Sequence, residues 1–326
     1  MSSTDALWAS TQKQLSHFFE EKTKISVACS GGLDSTVLFH ILFSMIKDKT
    51  RLSICHVNYG LRKDENQREV ALLQQLSATY GVSFFLQTVS EEERLTRKEK
   101  NIQIWARQVR HGLFSRLSTE GWVLALGHHL GDVAENVILR LARGTRPVGL
   151  LGMTVWNPPY WRPFLSVPKE TLLAWAQSKN LLYWEDSSNA TIEYSRNTIR
   201  HRVLPVLEQL HPGAKRRLAR CAGEIRDLAG YVREGFRRDG TAGQAALGLD
   251  FLSKLPIGVA KEAVEVWLQD KTEAIPRLSD ALYTELFHWI QSTSRRETRV
   301  WQRMLSTEAS IYIENDSLWF LYTGKK

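Results

Sequence analysis

Cysteine is scarce in this sequence: the 326 residues include only Cys29, Cys55 and Cys221. None lies in a CxxC pair, which argues against a disulfide scaffold and against a cysteine-rich zinc or iron–sulfur site. Cys29 and Cys55 lie in short apolar runs typical of buried strands, where thiols are common.

Long apolar runs are absent as well. No run approaches the ~20 residues that span a bilayer, and residues 1–13 lack the apolar centre of a signal peptide. We therefore expect no membrane association and a cytoplasmic location. Hydrophobic residues make up 43% and charged residues 24% of the chain, which indicates globular domains rather than extended disorder.

The chain carries a net charge of +8, which suits a polyanionic partner such as nucleic acid. A merely basic soluble protein is the alternative that charge alone leaves open. The length predicts roughly two domains. His211-Pro212-Gly213 is a plausible boundary, so we predict a first domain over residues 1–211 and an accessory domain over residues 212–326.

Apolar patterns predict strands alternating with helices over the first 143 residues. This order indicates an α/β fold with a Rossmann-like parallel sheet covered by helices on both faces. The accessory domain reads as mainly helical with a short β element, in which Asn315-Asp316 marks a hairpin turn. The predicted strands are 25–29, 52–57, 83–88, 122–127, 298–304, 310–314 and 317–322, and the predicted helices are 12–21, 35–46, 65–80, 101–120, 132–143, one from 168, 214–238, 258–270 and 278–292.

A glycine-containing turn joins the first predicted strand to a helix, with the sequence Ser-Gly-Gly-Leu-Asp-Ser over residues 30–35. Glycines let the backbone approach an anion, and the helix start offers free amides. No lysine follows, so this is not a Walker A loop. Asp34 would repel a phosphate unless Mg²⁺ lies between them. The alternative is an ordinary turn with Asp34 as a helix cap.

A second polar group follows the fourth predicted strand. His128, Asp132 and Glu135 are spaced i, i+4 and i+7, so we predict that they share one helix face directed at the nucleotide crevice. Such a face can hold Mg²⁺ or move protons. The alternative is a solvated helix start with acids favoured by the helix dipole. Zinc is a weaker option because the pattern offers one good histidine and no thiol.

Taken in order, seven sequence pieces resemble the tRNA(Ile)-lysidine synthases, a family of PP-loop ATPases. The resemblance covers about residues 25–207 and is specific because the pieces occur in the right order. The pieces are SGGLDST from Ser30, HVNYGLR from His56, ARQVR from Ala106, GHHLGDVAEN from Gly127, RG with GLLGM from Arg143, RPFL from Arg162, and DSSN with RNTIR from Asp186.

The resemblance implies a two-step reaction on CAU-anticodon tRNA(Ile). ATP adenylates the C2 oxygen of the wobble cytidine with release of diphosphate. Free L-lysine then attacks C2, releases AMP and leaves lysidine. Basic groups and a metal suit the anionic leaving groups, and the lysine amine needs a base. ATP, Mg²⁺, lysine and the tRNA are therefore the expected ligands.

The expected site residues follow from these motifs and charges. Asp34 and Asp132 are the candidate metal ligands, and Asp132 and His128 are the candidate bases. The full catalytic set is Asp34, His128, Asp132, Arg196 and Arg200, of which the arginines are expected to contact phosphates or the adenylate. The expected ATP-binding residues are Ser30, Gly31, Gly32, Leu33, Asp34, Ser35 and His56.

Basic residues elsewhere are candidates for RNA contact. Trp301 and Trp319 lie near one basic cluster and can stack on bases or belong to the core. For each arginine, the alternative is a solvated helix face. The candidates are Arg107, Arg110, Lys215, Arg216, Arg217, Arg295 and Arg296.

Three residues depart from the family pattern: Tyr59 replaces a usual histidine, Gly131 an aspartate and His111 a tyrosine. The loss at Gly131 removes one candidate metal ligand and predicts lower metal affinity. Two rival functions remain. Another PP-loop enzyme, such as a tRNA thiolase, often needs cysteine pairs that this chain lacks, and a non-catalytic tRNA-binding protein would not consume ATP. The oligomeric state is open, with a homodimer as one alternative.

Overall fold

The structure is a computed structural model that describes residues 3–61, 63–99, 101–150, 152–184, 195–271, 278–291 and 301–322. Contacts divide the chain into two compact units, Met1–Ala222 and Gly223–Lys326. The division falls inside a long helix that starts at Ala214. The functional division at residue 211 stays a prediction.

The first unit alternates strands and helices, as the sequence predicts. Its strands are β1 (Lys24–Ala28), β2 (Leu52–Asn58), β3 (Ser83–Thr88), β4 (Trp122–Ala125), β5 (Trp156–Asn157) and β6 (Tyr160–Trp161). Its helices are α1 (Ser3–Phe18), α2 (Leu33–Met45), α3 (Lys63–Tyr80), α4 (Glu91–Leu95), α5 (Ile102–Thr119), α6 (Leu130–Ala142), α7 (Pro147–Leu150), α8 (Lys169–Ser178), α9 (Ser195–Thr198), α10 (Leu204–Leu210) and the start of α11 (Ala214–Arg238). A 3₁₀ turn covers Lys49–Arg51, and a π-helical turn covers Ile199–Val203.

The strands of this unit form one sheet in the order β3-β2-β1-β4-β6-β5. Neighbouring strands are parallel except for β5, which pairs antiparallel with β6. The chain runs outward from β1 through β2 to β3 and then returns to place β4 on the other side of β1. Ligands of such sheets bind at the carboxyl ends of the strands where the order reverses. The loops after β1 and β4 are therefore the ones that build a site.

Apolar side chains cover both faces of this sheet. One core joins β1 to α2 and α8 through residues such as Ile25, Phe39 and Leu172. The other joins β2 and β4 to α5 through residues such as Cys55 and Phe114. Both layers exclude water from the strands, which confirms the predicted parallel sheet with helices on both faces.

One predicted helix differs from the structure, and one stretch contains a hairpin that was not predicted. The first helix begins at Ser3 rather than near residue 12, since Leu7 is also buried in the core. The proline-rich stretch that follows α7 contains a short hairpin in which Trp156 pairs with Trp161. Its turn includes a cis peptide bond between Pro158 and Pro159. Tertiary contacts, rather than local periodicity, define these elements.

The second unit is helical with a small antiparallel sheet, as predicted. Its sheet has the order β7-β10-β9-β8. Asn315 and Asp316 both have positive φ, 49° and 53°, which suits the tight turn between β9 and β10. Its further elements are α12 (Leu249–Lys254), α13 (Ile257–Lys271), α14 (Asp280–Gln291), β7 (Ala246–Gly248), β8 (Gln302–Met304), β9 (Ala309–Glu314) and β10 (Ser317–Tyr322).

Within the described part of the chain, every helix is too short or too polar to cross a bilayer.

Candidate active site

The loop between β1 and α2 is folded around the hydroxyl of Ser35. This oxygen accepts a hydrogen bond from the Ser30 amide at 3.3 Å and donates to the Gly32 carbonyl at 3.1 Å. Gly31 has φ +78°, a left-handed conformation that favours glycine. Gly32, at the N-cap of α2, supplies no side-chain cap. The loop therefore directs the N-terminus of α2 at the crevice. The free backbone amides of such a helix start bind phosphate.

The loop after β4 approaches the start of α2 closely. A Cβ added at Gly127 would lie 3.0 Å from the carbonyl carbon of Asp34 and 3.0 Å from the amide nitrogen of Ser35. Both atoms are backbone, so neither can turn away. Glycine at position 127 therefore lets the β1 and β4 loops share one crevice.

We expect Gly127→Ala to lower the free energy of unfolding by about 1–3 kcal/mol, because the added methyl group must push two backbone segments apart. ATP should also bind more weakly to the displaced loop. Chemical unfolding and an ATP titration measure the two effects. Gly112→Ala is the matched control, since Gly112 lies on α5 with nothing within 4 Å of an added Cβ. Equal loss in both variants would contradict this account of Gly127.

His56 lies at the end of β2 with its ring buried. Its Nδ1 lies 2.8 Å from the Cys29 carbonyl oxygen, which can only accept, so Nδ1 carries the proton. Burial lowers the pKa of His56, so the ring is neutral at pH 7. Its Nε2 therefore has a lone pair, and this buried atom has no hydrogen-bond partner among the described residues. That lone pair suits a hydroxyl or amino donor of a nucleotide, not a phosphate oxygen.

Helix α6 begins one residue after His129, which is its N-cap. The His129 ring accepts the Gly131 amide at Nδ1 over 2.9 Å, and Asp132 accepts the His129 amide over 2.9 Å. His128 precedes this cap and lies outside the helix. The prediction of one helix face for three side chains is therefore wrong for His128, although the electrostatic influence of Asp132 still reaches its ring.

Arg200 joins the two acids of that face. Its Nε donates to Glu135 Oε1 at 2.5 Å, and its Nη2 donates to Glu135 Oε2 at 3.0 Å and to Asp132 Oδ1 at 3.1 Å. Glu135 is only 1% exposed, and burial raises its pKa. Burial acts to raise the pKa of Asp132, but the hydrogen bond from the His129 amide and the nearby Arg200 guanidinium oppose it, and the pKa lies below its usual value. Asp132 is therefore ionised, and Arg200 contacts carboxylates.

Asp34 lies on the first turn of α2, facing the same histidine cap. Its Oδ2 is 3.9 Å from His129 Nε2, and Asp132 Oδ2 is 3.8 Å from the same nitrogen. Burial raises the pKa of Asp34, and the nearby His129 and Lys169 oppose that rise. Asp34 Oδ1 is buried and has no hydrogen-bond partner within the described ranges. The crevice thus brings together both predicted metal ligands.

His128 belongs to the loop after β4 and lies close enough to several arginines for them to affect its pKa. Burial lowers its pKa to about 4, and Arg162, Arg196 and Arg110 add to this effect against the opposing influence of Asp132. Its buried Nδ1 has no partner in the part of the chain that the structure describes. His128 is therefore a neutral imidazole in a cationic surrounding.

At two of the three positions that depart from the family pattern, the side chain forms a local hydrogen bond. The Tyr59 hydroxyl donates to the Ala106 carbonyl at 3.1 Å and lies near Arg110. The His111 ring meets the Tyr160 hydroxyl at 3.1 Å. At the third position, the Gly131 amide donates to the His129 ring that caps α6.

The predicted RNA-binding residues are dispersed. Arg107 and Arg110 are exposed on α5. Lys215, Arg216 and Arg217 lie on the first turn of α11, in the first unit rather than the second. Arg295 and Arg296 lie outside the described residues.

The two tryptophans beside the second basic cluster differ in exposure. Trp301 is buried and donates to Glu285 Oε1 at 3.2 Å, so its interpretation as a base-stacking residue is wrong and it belongs to the core of the second unit. Trp319 is half-buried and donates to the Glu314 carbonyl at 3.1 Å.

Sequence reasoning missed His129 and Lys169 as site residues of this crevice, and it named Glu135 only as a member of the polar face. His129 stands beside the residue that was chosen, and only its cap geometry distinguishes the two. Glu135 was on the predicted face, but its partner Arg200 is 65 residues away. Lys169 follows the proline that starts α8 and carries no motif of its own.

A family model described as the PP-loop domain matches residues 7–207. The chain belongs to the PP-loop domain family. The matched range includes the β1–α2 loop described above. Among solved structures, the U34-tRNA thiolase NcsA of Methanococcus maripaludis with its [4Fe-4S] cluster superposes with a TM-score of 0.58 at 20% identity. The match covers 69% of this chain and 80% of that one, and it supports the fold alone.

Curated relatives of this PP-loop chain are tRNA(Ile)-lysidine synthases. The one from Bacteroides thetaiotaomicron is 31% identical over 215 residues, which are 65% of this chain and 50% of that protein. The one from Alkalilimnicola ehrlichii is 35% identical over 249 residues, which are 74% of this chain and 55% of that protein. The chain thus spans about half the length of the curated relatives it matches.

Proposed function

We propose that this protein joins free L-lysine to C2 of the wobble cytidine of CAU-anticodon tRNA(Ile), forming lysidine with release of AMP and diphosphate. The observation that carries the proposal is that the Ser30–Ser35 loop, which includes Asp34, meets Asp132 and Arg200 in one crevice. The similarity to tRNA(Ile)-lysidine synthases names the substrates.

The first step needs ATP held with its α-phosphate toward the base. The Ser30–Ser35 loop binds the phosphates through its amides and hydroxyls. The His56 Nε2 lone pair accepts a hydrogen bond from the nucleoside portion. Lys169 lies near enough to influence Asp34 electrostatically, so it adds a cation beside the leaving diphosphate. These contacts orient the nucleotide before any bond is broken.

The residues at the crevice fit Mg²⁺. The described residues contain no group of three or more histidine, cysteine or acidic side chains that would form a protein-only metal cage. Mg²⁺ sites on nucleotides instead use one or two carboxylates together with phosphate oxygens and water. Asp34 has a buried oxygen without a protein partner, and Asp132 keeps lone pairs beyond its two hydrogen bonds. These two residues would hold the ion, which supplies positive charge to the phosphates.

The second step needs the lysine amine to lose a proton before it attacks C2. Asp132 is ionised but already accepts from Arg200 and from the His129 amide. His128 is neutral, and its Nδ1 has no hydrogen bond to a described residue. Asp132 and His128 stay the two candidate bases: Asp132 is ionised and can hold the ammonium group, and His128 can accept a hydrogen bond from the amine, although burial and the nearby arginines disfavour its protonated form. Arg196 lies close enough to influence His128 and faces the departing AMP.

The wider assignments rest on charge and on similarity. The exposed basic residues of α5 and of the first turn of α11 contact the tRNA backbone, and residues 212–326 act as the accessory tRNA-binding part. A cytoplasmic location and a homodimer are part of the same proposal. Each contact to a phosphate adds to the salt dependence of tRNA binding.

The test mixes the purified chain with CAU-anticodon tRNA(Ile) transcript, Mg·ATP and labelled lysine. We expect label on the RNA only when ATP is present, and none when the wobble cytidine is replaced by uridine. AMP formation without label would favour another PP-loop enzyme with a different acceptor. Tight tRNA binding without ATP consumption would favour a binding protein, so the three functions give different results.

A further inference from the structure

The His129 ring lies over the start of α6 in a fixed orientation. Its Nδ1 accepts the Gly131 amide, and an amide nitrogen can only donate, so Nδ1 carries no proton. The proton of the neutral ring is therefore on Nε2. This atom lies 3.9 Å from Asp34 Oδ2 and 3.8 Å from Asp132 Oδ2, and the ring is buried. One N–H group thus faces two carboxylates that come from different helices.

Glycine at position 131 makes this orientation possible. A Cβ at Gly131 would lie 2.5 Å from His129 Cε1 and 3.0 Å from His129 Nδ1. Real Cβ atoms do not approach so closely, so any side chain there moves the imidazole. The ring can rotate about its own bonds, which means that the backbone need not unfold. Gly131, which departs from the family pattern, therefore leaves the space that the His129 ring occupies.

We propose that His129 is a positioning residue that sets the spacing of Asp34 and Asp132, and that Gly131 keeps its ring in place. The inference rests on the proposed metal-binding role of these two carboxylates. An oxygen of each acid lies within 4 Å of this N–H group, beyond a direct hydrogen bond but close enough for the N–H dipole to favour their orientation, so the pair is partly organised before any cation arrives. Groups that orient metal ligands in this way commonly contribute about 10–100-fold to metal affinity.

One substitution separates positioning from helix capping, and a second displaces the ring. His129→Asn keeps a good N-cap, because asparagine can still accept the Gly131 amide, but it cannot extend to the two carboxylates. Gly131→Ala keeps the histidine and removes the space for its ring. Gly112→Ala, at an open position on α5, is the matched glycine control.

The experiment titrates each full-length variant with Mn²⁺ in the presence of a non-hydrolysable ATP analogue, with free Mn²⁺ followed by electron paramagnetic resonance. We expect about 10–100-fold weaker binding for His129→Asn and for Gly131→Ala, and wild-type binding for Gly112→Ala. The double variant should lose no more than either single variant, since both act through the same ring. The Tm of His129→Asn should stay near that of the wild type because asparagine keeps the cap, whereas Gly131→Ala should lower the Tm by about 2–4 °C because the displaced ring no longer accepts the amide.

Nitrogen NMR of histidine-labelled protein supplies a second readout. We expect one resonance pair with an unprotonated Nδ1 and a protonated Nε2, absent from His129→Asn and changed in Gly131→Ala. Unchanged Mn²⁺ affinity in both single variants, additive losses in the double variant, or tighter binding would overturn the proposal. Neither readout uses tRNA or lysine. If the wild-type chain fails to transfer lysine while both single variants bind Mn²⁺ more weakly than it does, the proposed reaction is refuted and this inference stands.

Discussion

Asp34→Asn should lower the rate of ATP-dependent lysine transfer to tRNA by about 10³-fold, the scale seen when one preorganised electrostatic group is removed from an active site. Asparagine keeps the shape of the side chain but lacks the charge that holds a cation at the phosphates. The Asp34 oxygen without a protein partner is the atom whose loss matters. Single-turnover measurement of labelled tRNA gives the rate directly.

Folding should survive this substitution, because burial already disfavours the charge on Asp34. Asp48→Asn is the matched control: Asp48 is exposed in the same unit and caps a short 3₁₀ turn, a task that asparagine also performs. We expect wild-type transfer from that control. An Asp34→Asn variant with near wild-type turnover would exclude this carboxylate from catalysis and with it the proposed metal site.

Arg200→Met should lower the free energy of unfolding by about 3 kcal/mol. The substitution removes the cation that pairs with the buried Glu135 and with Asp132, and a buried carboxylate without its partner is strongly destabilising. The effect lies at the lower end of the usual range because 27% of the Arg200 side chain is exposed. Urea unfolding of both proteins at pH 7 measures it.

Two further variants identify the cause. Arg202→Met removes an exposed arginine from the same π-helical turn and should leave stability within about 0.5 kcal/mol of the wild type. Adding Glu135→Gln to Arg200→Met should recover part of the loss, because the charge that lacks a partner is gone. No recovery in that double variant would mean that Arg200 stabilises the protein through its packing instead.

The parts of the site that could be predicted from sequence are the local ones. Strand β1, the Gly31-Gly32 turn and the start of α2 are encoded within a dozen residues, and each has its own chemical signature. The alternation of strands and helices placed the loops after β1 and β4 at the same sheet edge. That rule of topology, rather than any single motif, brought Asp34 and Asp132 into one crevice.

The parts that could not be predicted depend on contacts between distant residues. Arg200 was expected at phosphates, but its position beside Glu135 follows from how the turn at Ile199 packs on α6. His128 and His129 are indistinguishable in a motif, and only the direction of the α6 start assigns the cap to His129. A Cβ at position 131 would lie 2.5 Å from His129 Cε1, and the spacing of residues along the chain does not predict such a contact.

The second unit shows the same difference between features set by local sequence and features set by distant contacts. The Asn315-Asp316 hairpin was predictable because its turn chemistry is local. The role of Trp301 was ambiguous because a tryptophan beside arginines can stack on RNA bases or pack in a core. Its burial and its hydrogen bond to Glu285 of α14 place it in the core. Charge patterns therefore indicate an RNA partner without identifying the residues that contact it.

The chemical identity of the wobble nucleoside after reaction tests the proposed function most directly. CAU-anticodon tRNA(Ile) would be incubated with the chain, Mg·ATP and lysine, digested to nucleosides and analysed by mass spectrometry. We expect one cytidine equivalent to be replaced by a nucleoside with the mass of cytidine plus lysine minus one water. Unmodified cytidine, despite stoichiometric AMP release, would contradict the proposed function.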